Sequence, residues 1–286
     1  MNHWIALFLT TLLWAATYHV GKFTVGVMAP LAVAIWRFLI ASAVLVPWVA
    51  KREGIDWRGL GANLIPLLVM GVVGVMGFNV GMFEGLQSTS ATNAALIMAF
   101  NPTMTMVLGA LLGGERIKPL RWLGLLLGIA GVAVVVTHGS WRALLGLSFG
   151  RGDLLLIGAS ACWALYSVIP KRFISGLSPL QVTMGSVLIG VIAMLVYSYQ
   201  MVGAHLHLPP WRAWWALLFM GVGASAVAYI WWNQGVMRVG APRAAMFMNL
   251  VPILTVAIAV ALGQHLVTAQ MAGAALVIGG VLIAAR

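Results

Sequence analysis

Apolar residues run along the chain in long blocks, separated by short gaps that hold Gly, Pro and most of the charged residues. A helix needs roughly 20 predominantly apolar residues to cross the hydrocarbon core of a bilayer. The first block lacks a basic start and a small-residue cleavage site, so we interpret it as a span and not as a signal peptide. The pattern predicts an all-α polytopic membrane protein with ten transmembrane helices, at residues 3–24, 29–50, 59–85, 91–113, 119–138, 152–172, 178–200, 209–235, 242–263 and 267–285.

The composition agrees with a fold embedded in lipid. Of the 286 residues, 62% are hydrophobic and 7% are charged, with a mean hydropathy of +1.03. A soluble domain carries roughly 25% charged residues. The net charge of +11 would suggest nucleic acid in a polar protein, but here the basic residues lie between apolar blocks, so we expect no nucleic-acid partner. The single cysteine, Cys162, excludes an internal disulfide and a CxxC site.

The two halves of the sequence are copies at a nearly constant offset. Trp14 and Trp163 are 149 residues apart, and Gly85 and Gly235 are 150 apart, with similar matches in all five pairs of spans. Chance similarity between apolar segments does not preserve one offset along a whole chain. The sequence therefore predicts a first five-helix repeat at 1–138, a connecting loop at 139–151 and a second five-helix repeat at 152–286.

The distribution of Lys and Arg predicts the orientation. With the N-terminus inside, the inner loops and helix ends hold eleven basic residues and the outer side holds four. Because cytoplasmic loops carry the excess of Lys and Arg, both termini are expected in the cytoplasm. Each repeat has an odd number of spans, so the second must enter the membrane inverted relative to the first. Inverted repeats are typical of alternating-access transporters, which bind substrate near the midplane.

Three stretches carry a family resemblance: "LLWAATYHVGKF", "NAALIMAFNP" with the "LGGERI" that follows it, and the terminal "GAALVIGGVLIA". They resemble the EamA-type repeat of the drug/metabolite transporter superfamily, over essentially the full chain, and the pattern is similar to YddG-type bacterial aromatic amino-acid exporters. The resemblance implies a carrier of the bacterial inner membrane with cytoplasmic termini. One departure concerns the Gly-Glu pair after the fourth span, Gly114-Glu115, whose second copy is Gly263-Gln264. A symmetric role for two carboxylates is therefore excluded.

An Asn and a Pro interrupt the fourth and ninth spans. Proline lacks a backbone N–H, so Pro102 frees the carbonyl of Met98 and Pro252 frees that of Met248. A freed carbonyl in hydrocarbon needs a cavity, a water or a neighbouring side chain. We expect both carbonyls to approach one central space, beside the amides of Asn101 and Asn249. The alternative is a pair of packing kinks in which Asn repairs the backbone.

A mixed aromatic and hydroxyl stripe marks spans one and six. Trp14 and Trp163 lie at mid-span, away from the interfaces that Trp usually favours. These rings either pack between helices or stack on a flat solute. Their neighbours at helical spacing are Thr10, Thr17, Tyr18, Ser160, Tyr166 and Ser167.

Few polar or charged residues lie inside the other spans. Asn79 in span three corresponds to Tyr229 in span eight. Glu84 is the one carboxylate placed inside a span, and with His19 it could form a proton path, unless both simply meet water near the outer ends of their helices. Arg37 in span two either satisfies backbone carbonyls, extends to the interface or binds a substrate carboxylate.

The remaining motifs argue against enzymes and cofactors. No Walker A, G-x-S-x-G or HExxH sequence is present, and His205 and His207 lack acidic or cysteine neighbours for a metal site. We therefore expect a secondary exporter of small amphipathic metabolites, with aromatic or other bulky apolar amino acids as substrates; lipophilic drugs on the same fold and a membrane-embedded enzyme are the alternatives. The sequence does not specify an oligomeric state. The predicted substrate residues are Trp14, Tyr18, Asn79, Met98, Asn101, Trp163, Tyr166, Tyr229, Met248 and Asn249, with Pro102 and Pro252 as helix breaks and His19 and Glu84 as coupling candidates.

Overall fold

A computed structural model describes residues 2–89, 94, 97–113, 119–146, 150–201, 207–263, 265 and 268–285. Within these residues the regular structure is helical, and none of them forms a β-strand. Some residues discussed above lie outside the described part of the chain: Asn93, Gly114, Glu115, His205 and Gln264.

The described residues form eight helices that are long and apolar enough to cross a membrane, together with two shorter apolar helices. Most helix ends agree closely with the predicted spans, because Gly, Pro and charged residues flank each apolar block. In chain order the helices are α1 (His3–Val25), α2 (Pro30–Arg52), α3 (Leu64–Leu86), α4 (Ile97–Leu112, shorter), α5 (Pro119–Thr137), α6 (Arg151–Phe173), α7 (Pro179–Gln200), α8 (Trp211–Val239), α9 (Ala241–Ala261) and α10 (Thr268–Ile283, shorter).

Two helix ends differ from the prediction for local reasons. The span expected from residue 59 is divided at Asn63, which separates a short helix, Trp57–Ala62, from α3. The Asn63 amide donates to the carbonyls of Gly59 at 2.9 Å and Ser175 at 3.0 Å, which fixes the break. In the second half of the chain, α8 continues past the predicted end at residue 235 to Val239. It stops where Gly240 adopts a φ of +88°, a value that suits glycine.

Helices α3 and α8 each contain a π-helical segment that the apolar pattern did not predict. The segments are Val69–Gly77 and Phe219–Val227, both nine residues long and 150 positions apart. A π-helix hydrogen-bonds each N–H to the carbonyl five residues back, which widens the helix and alters which carbonyls are available to other groups. The same backbone distortion therefore occurs at the same place in both halves of the sequence.

Glycines inside these segments allow close helix contacts that repeat at the same offset. A Cβ on Gly71 of α3 would lie 2.5 Å from Ile189 of α7, and a Cβ on Gly221 of α8 would lie 2.6 Å from Ile40 of α2. Both spacings are shorter than any normal contact, so each glycine is required by the helix that packs on it. The contact of α3 with α7 is thus matched by that of α8 with α2.

Helices α5 and α10 pack along each other through facing glycines. A Cβ on Gly131 would lie 2.6 Å from the carbonyl oxygen of Gly273, and a Cβ on Gly273 would lie 2.6 Å from that of Gly131. Small residues at a helix interface let two backbones approach closely in lipid. This pair of helices therefore depends on the absence of side chains at its contact.

The two sequence halves are interleaved. Helix α1 packs against α8 and α9 of the second half, and α6 packs against α3 and α4 of the first. Helices α6, α7 and α8 are the most buried and form the centre of the bundle. Mid-span residues of α1, α2 and α3 from one half and α6 and α8 from the other consequently meet in one place.

Candidate functional site

Seven aromatic rings meet at the centre of the bundle. The indole of Trp163 stacks on Tyr166 at 5.1 Å with an interplanar angle of 12°, and meets Trp14 edge-on at 5.2 Å. Its centroid lies 5.5 Å from that of Tyr229. Such pairs prefer stacked or edge-to-face arrangements at these distances. We call the group the aromatic cluster: Trp14, Phe38, Phe78, Trp163, Tyr166, Tyr229 and Trp232.

Helical spacing places these rings together. Trp163 and Tyr166 are three residues apart on α6, as are Tyr229 and Trp232 on α8, so each pair lies on one helix face. Trp163 is only 2% exposed, which shows that its neighbours fill the space around it in this conformation. A flat ligand could enter the aromatic cluster only if some of these rings moved apart.

The indole N–H groups of the aromatic cluster are satisfied unequally. Trp14 donates to the carbonyl of Ala224 at 3.0 Å, within the π-helical segment of α8, and Trp232 donates to the hydroxyl of Ser167 at 3.2 Å. The buried Nε1 of Trp163 has no hydrogen-bond partner among the residues that the structure describes. Trp14 and Trp163 are therefore equivalent in the sequence repeat but differ in their hydrogen bonding.

A buried polar network closes the aromatic cluster on one side. The amide of Asn233 donates to the Tyr166 hydroxyl at 2.9 Å and to the Thr183 hydroxyl at 2.9 Å, and the Tyr166 hydroxyl lies 3.5 Å from that of Ser186. All four side chains are buried. We call Tyr166, Thr183, Ser186 and Asn233 the polar network. It lies near the membrane face at which α6 and α8 end and α7 begins.

Arg37 lies on the opposite side of the aromatic cluster. Its Nε donates to the hydroxyl of Ser225 at 2.7 Å, and its guanidinium carbon lies 5.0 Å from the ring centre of Phe38. Ser225 belongs to the π-helical segment of α8 and directly follows Ala224, the acceptor for Trp14. Arg37 and Trp14 are therefore anchored to neighbouring residues.

The predicted site residues are distributed more widely than the sequence suggested. Trp14, Trp163, Tyr166 and Tyr229 meet in the aromatic cluster, and Asn79 lies beside the Tyr229 hydroxyl. Tyr18 is 46% exposed and makes no aromatic contact with the described residues.

The two Asn-Pro regions do not share one space. Asn101 donates to the carbonyl and hydroxyl of Ser160 on α6, at 2.9 and 3.0 Å, one turn before Trp163. Asn249 is buried, and neither of its amide atoms has a partner in the described part of the chain. It packs on α5, where a Cβ on Gly128 would lie 2.3 Å from its nitrogen. The sequence suggested one shared space, whereas the interleaving of the halves directs the two amides to different helices.

The backbone departs from α geometry ahead of each proline. Phe100 forms a turn before Pro102, and a 3₁₀ segment, Met246–Asn249, comes before Pro252. Nearby, Met98 packs in a small cluster with Ile97, Leu156 and Met82, whereas Met248 packs on the main core. The two methionines thus occupy different surroundings.

The coupling candidates also have separate partners. The His19 ring nitrogen lies 3.0 Å from the carbonyl of Thr255 on α9. Glu84 is exposed and accepts a hydrogen bond from the Tyr197 hydroxyl on α7 at 2.8 Å. Within the described part of the chain no hydrogen bond or ion pair joins His19 to Glu84. The structure therefore does not assemble the proton path that they suggested.

Several residues of this site were not among those predicted from the sequence. Trp232 could have been found, because it lies three residues after Tyr229 on a helix. Phe38 and Phe78 carry no signal that distinguishes them from other apolar residues. Thr183 and Ser186 were missed because isolated hydroxyls are common in membrane helices, where they bond to the preceding turn, as Thr183 does to Pro179 at 2.7 Å.

The profile of the EamA-like transporter family matches the chain twice, over residues 3–137 and 150–286. The chain belongs to this family. As an EamA-like transporter it is a multi-pass membrane protein, and the family and the names of its relatives indicate a transporter and not an enzyme. The recognition made from the three sequence stretches is therefore confirmed.

Relatives of this EamA-like transporter align over almost their whole length. "Uncharacterized transporter YyaM" of Bacillus subtilis is 36% identical, with 99% of this chain and 93% of the relative covered. "Aromatic amino acid exporter YddG" of Ancylobacter novellus is 25% identical, with 97% and 94% covered. "Probable amino-acid metabolite efflux pump" of Salmonella typhimurium is 27% identical, with 96% and 92% covered.

A solved structure shares the fold. Described as the crystal structure of a protein, it superposes with a TM-score of 0.81 at 24% identity and covers 98% of this chain and 95% of that chain. At this identity the likeness concerns the fold alone.

Proposed function

We propose that this EamA-like transporter is a secondary carrier that works by alternating access and exports aromatic and other bulky apolar amino acids across the bacterial inner membrane. In this proposal α4 and α10 also cross the membrane, giving ten helices in two inverted repeats. The matched π-helical segments and the matched glycine contacts support such repeats, because both recur at the sequence offset. Inverted repeats allow the two faces to exchange roles around a central site.

The orientation follows from the Lys and Arg count, with both termini in the cytoplasm. In that orientation the polar network lies on the cytoplasmic side of the aromatic cluster, and Arg37 lies on the outer side. The polar network is buried, whereas Arg37 is partly exposed. This difference favours a conformation that is closed to the cytoplasm.

The aromatic cluster around Trp163 is the observation that carries the substrate proposal. Each aromatic pair contributes about 0.5–1.5 kcal/mol beyond the burial of its area. A substrate with a flat or bulky apolar side chain that replaced one ring contact would gain a similar free energy of interaction. The near absence of charge around the rings disfavours phosphates and polyanions, which require several Arg or Lys groups.

The names of two relatives agree with this substrate class. One is called an aromatic amino acid exporter and the other a probable amino-acid metabolite efflux pump. The competing substrate class, lipophilic drugs or other metabolites, would use the same rings without requiring an amino-acid backbone. Competition between the two classes in a transport assay separates them.

Counterflow in proteoliposomes tests the proposal. We expect proteoliposomes loaded with unlabelled phenylalanine to take up labelled phenylalanine, tryptophan and leucine, and to take up neither glutamate nor lysine. Trp163→Ala should reduce uptake up to about tenfold, since the substrate would lose a ring contact of about 0.5–1.5 kcal/mol. Trp122→Ala is the matched control, because Trp122 on α5 is 41% exposed. Uptake of drugs but of no amino acid would refute the substrate class, and wild-type rates in Trp163→Ala would refute the site.

A further inference from the structure

Arg37 is a cation inside the membrane with no anionic partner. It lies seven residues into α2, about 10 Å along the helix at 1.5 Å per residue. Within the described residues no carboxylate pairs with it, and its terminal nitrogens have no hydrogen-bond acceptor; Nε alone is bonded, to Ser225. An ionisable group in this position is costly and indicates function, with a partner to be identified.

Two contacts hold the guanidinium inward. A long basic side chain often extends along its helix to reach the interface. Here the bond to Ser225, which is fully buried, and the position over the buried Phe38 ring keep Arg37 against the bundle. Extension to the interface therefore does not explain this residue.

The same contacts aim Arg37 at the aromatic cluster. Phe38 meets Tyr229 edge-on at 5.7 Å, and Tyr229 meets Trp14 at 6.1 Å. Ser225 also adjoins Ala224, to which Trp14 is bonded. A ligand that placed an anion on the free guanidinium nitrogens would therefore have its adjoining apolar group beside the rings.

The sequence repeat shows that this cation is present in one half only. At the offset of 149 the counterpart of Arg37 is Ser186, a buried member of the polar network. Among the described residues around the aromatic cluster, Arg37 is the one fixed positive charge, which suits one anionic group and not two.

We infer that Arg37 binds the carboxylate of the transported compound while its apolar side chain packs against the aromatic cluster. This inference rests on the proposed function and restricts it to carboxylate-bearing substrates. A guanidinium donates two parallel N–H bonds to the two oxygens of a carboxylate. A substrate analogue with an amide or an amine in place of the carboxylate lacks this pair of acceptor oxygens. Neutral drugs of similar shape should therefore be poor substrates.

Counterflow with phenylalanine, phenylalaninamide and phenethylamine tests the inference, because the last two lack the carboxylate. Loss of a hydrogen bond to a charged group corresponds to roughly a tenfold to hundredfold change in the equilibrium constant. We expect wild-type protein to prefer phenylalanine over the amide by that factor. Arg37→Gln should abolish this preference while amide uptake stays within about twofold, and Arg37→Lys should retain part of it.

Arg142→Gln serves as the control, because it removes an exposed arginine from the connecting segment. Size-exclusion profiles of all variants report folding. An equal loss of amide and phenylalanine uptake in Arg37→Gln would assign Arg37 a structural role and overturn the inference. Equal uptake of both compounds by wild-type protein would overturn the inference but leave the proposed function intact. Uptake of no aromatic compound by wild-type protein would overturn both.

Discussion

In the proposed orientation, replacing Asn233 by leucine should open the cytoplasmic face of the protein. Asn233 on α8 bonds Tyr166 of α6 and Thr183 of α7, both at 2.9 Å, and so joins the three central helices. In the alternating-access cycle proposed above, these helices must separate on this side before substrate can enter from the cytoplasm. Leucine has the same branching and the same number of side-chain heavy atoms as asparagine, although its methyl groups are bulkier, and it forms neither bond.

The size of the effect follows from the two hydrogen bonds. Each contributes a net stabilisation of about 0.5–1.5 kcal/mol, so Asn233→Leu removes about 1–3 kcal/mol from the closed conformation. A difference of this size shifts a two-state equilibrium by roughly five- to 150-fold. The Asn233 carbonyl oxygen is buried with no partner among the described side chains and backbone, so its removal offsets part of the loss and favours the lower half of this range.

Accessibility of a cysteine in the polar network measures the shift. In a background with Cys162→Ser, Ser186→Cys places a thiol next to Tyr166, where it is buried in the closed conformation. Inside-out vesicles expose the cytoplasmic face to a membrane-impermeant maleimide. We expect the labelling rate to rise by at least fivefold when Asn233→Leu is added.

Asn63→Ala provides the matched control. It removes three side-chain hydrogen bonds at the start of α3, outside the polar network: two that the amide donates, at 2.9 and 3.0 Å, and one that it accepts from the Ser175 N–H at 3.1 Å. This variant should lower thermal stability without exposing the thiol. An unchanged labelling rate in Asn233→Leu, or an equal rise in Asn63→Ala, would show that the polar network does not hold this face closed.

Three further predictions concern other parts of the bundle. Gly131→Leu should prevent α5 from packing on α10 and reduce membrane abundance severely, whereas Gly279→Ala, with nothing within 4 Å of its Cβ, should not; immunoblots compare them. Asn101→Ala removes bonds to α6 of 2.9 and 3.0 Å and should lower the uptake rate more than abundance. Glu84→Gln should preserve the response of uptake to a pH gradient, because Glu84 is exposed and bonded to a tyrosine; loss of that response would restore it as a coupling residue.

Hydropathy was sufficient to locate the helices because each span must be apolar over its full length. The family was recognisable because Trp14, Pro102 and Gly131 recur as Trp163, Pro252 and Gly280, at an offset of 149 or 150 residues. The π-helical segments were not predictable, since Val69–Gly77 and Phe219–Val227 have the same apolar composition as the α-helical turns around them.

Contacts between side chains of different helices were harder to predict than the positions of the helices along the chain. Trp163 and Tyr229 could be selected as mid-span aromatics, but their meeting with Phe38 and Phe78 depends on how each helix is rotated about its axis. Asn249 shows the opposite error. Its position near a proline suggested the central site, whereas the path of α9 packs it on α5.

The different hydrogen bonding of the Trp14 and Trp163 indoles provides an internal probe of the conformation of the protein. Trp14 donates to Ala224, while Trp163 has no acceptor within the described ranges, although Gly74 lies at the repeat position equivalent to Ala224. If the halves trade conformations during transport, the bonded and the bare N–H must trade places too. Among the 13 indole resonances of the protein labelled with nitrogen-15 tryptophan, those of Trp14 and Trp163 would then exchange their shifts, which would reveal the compartment that the carrier faces without any added ligand.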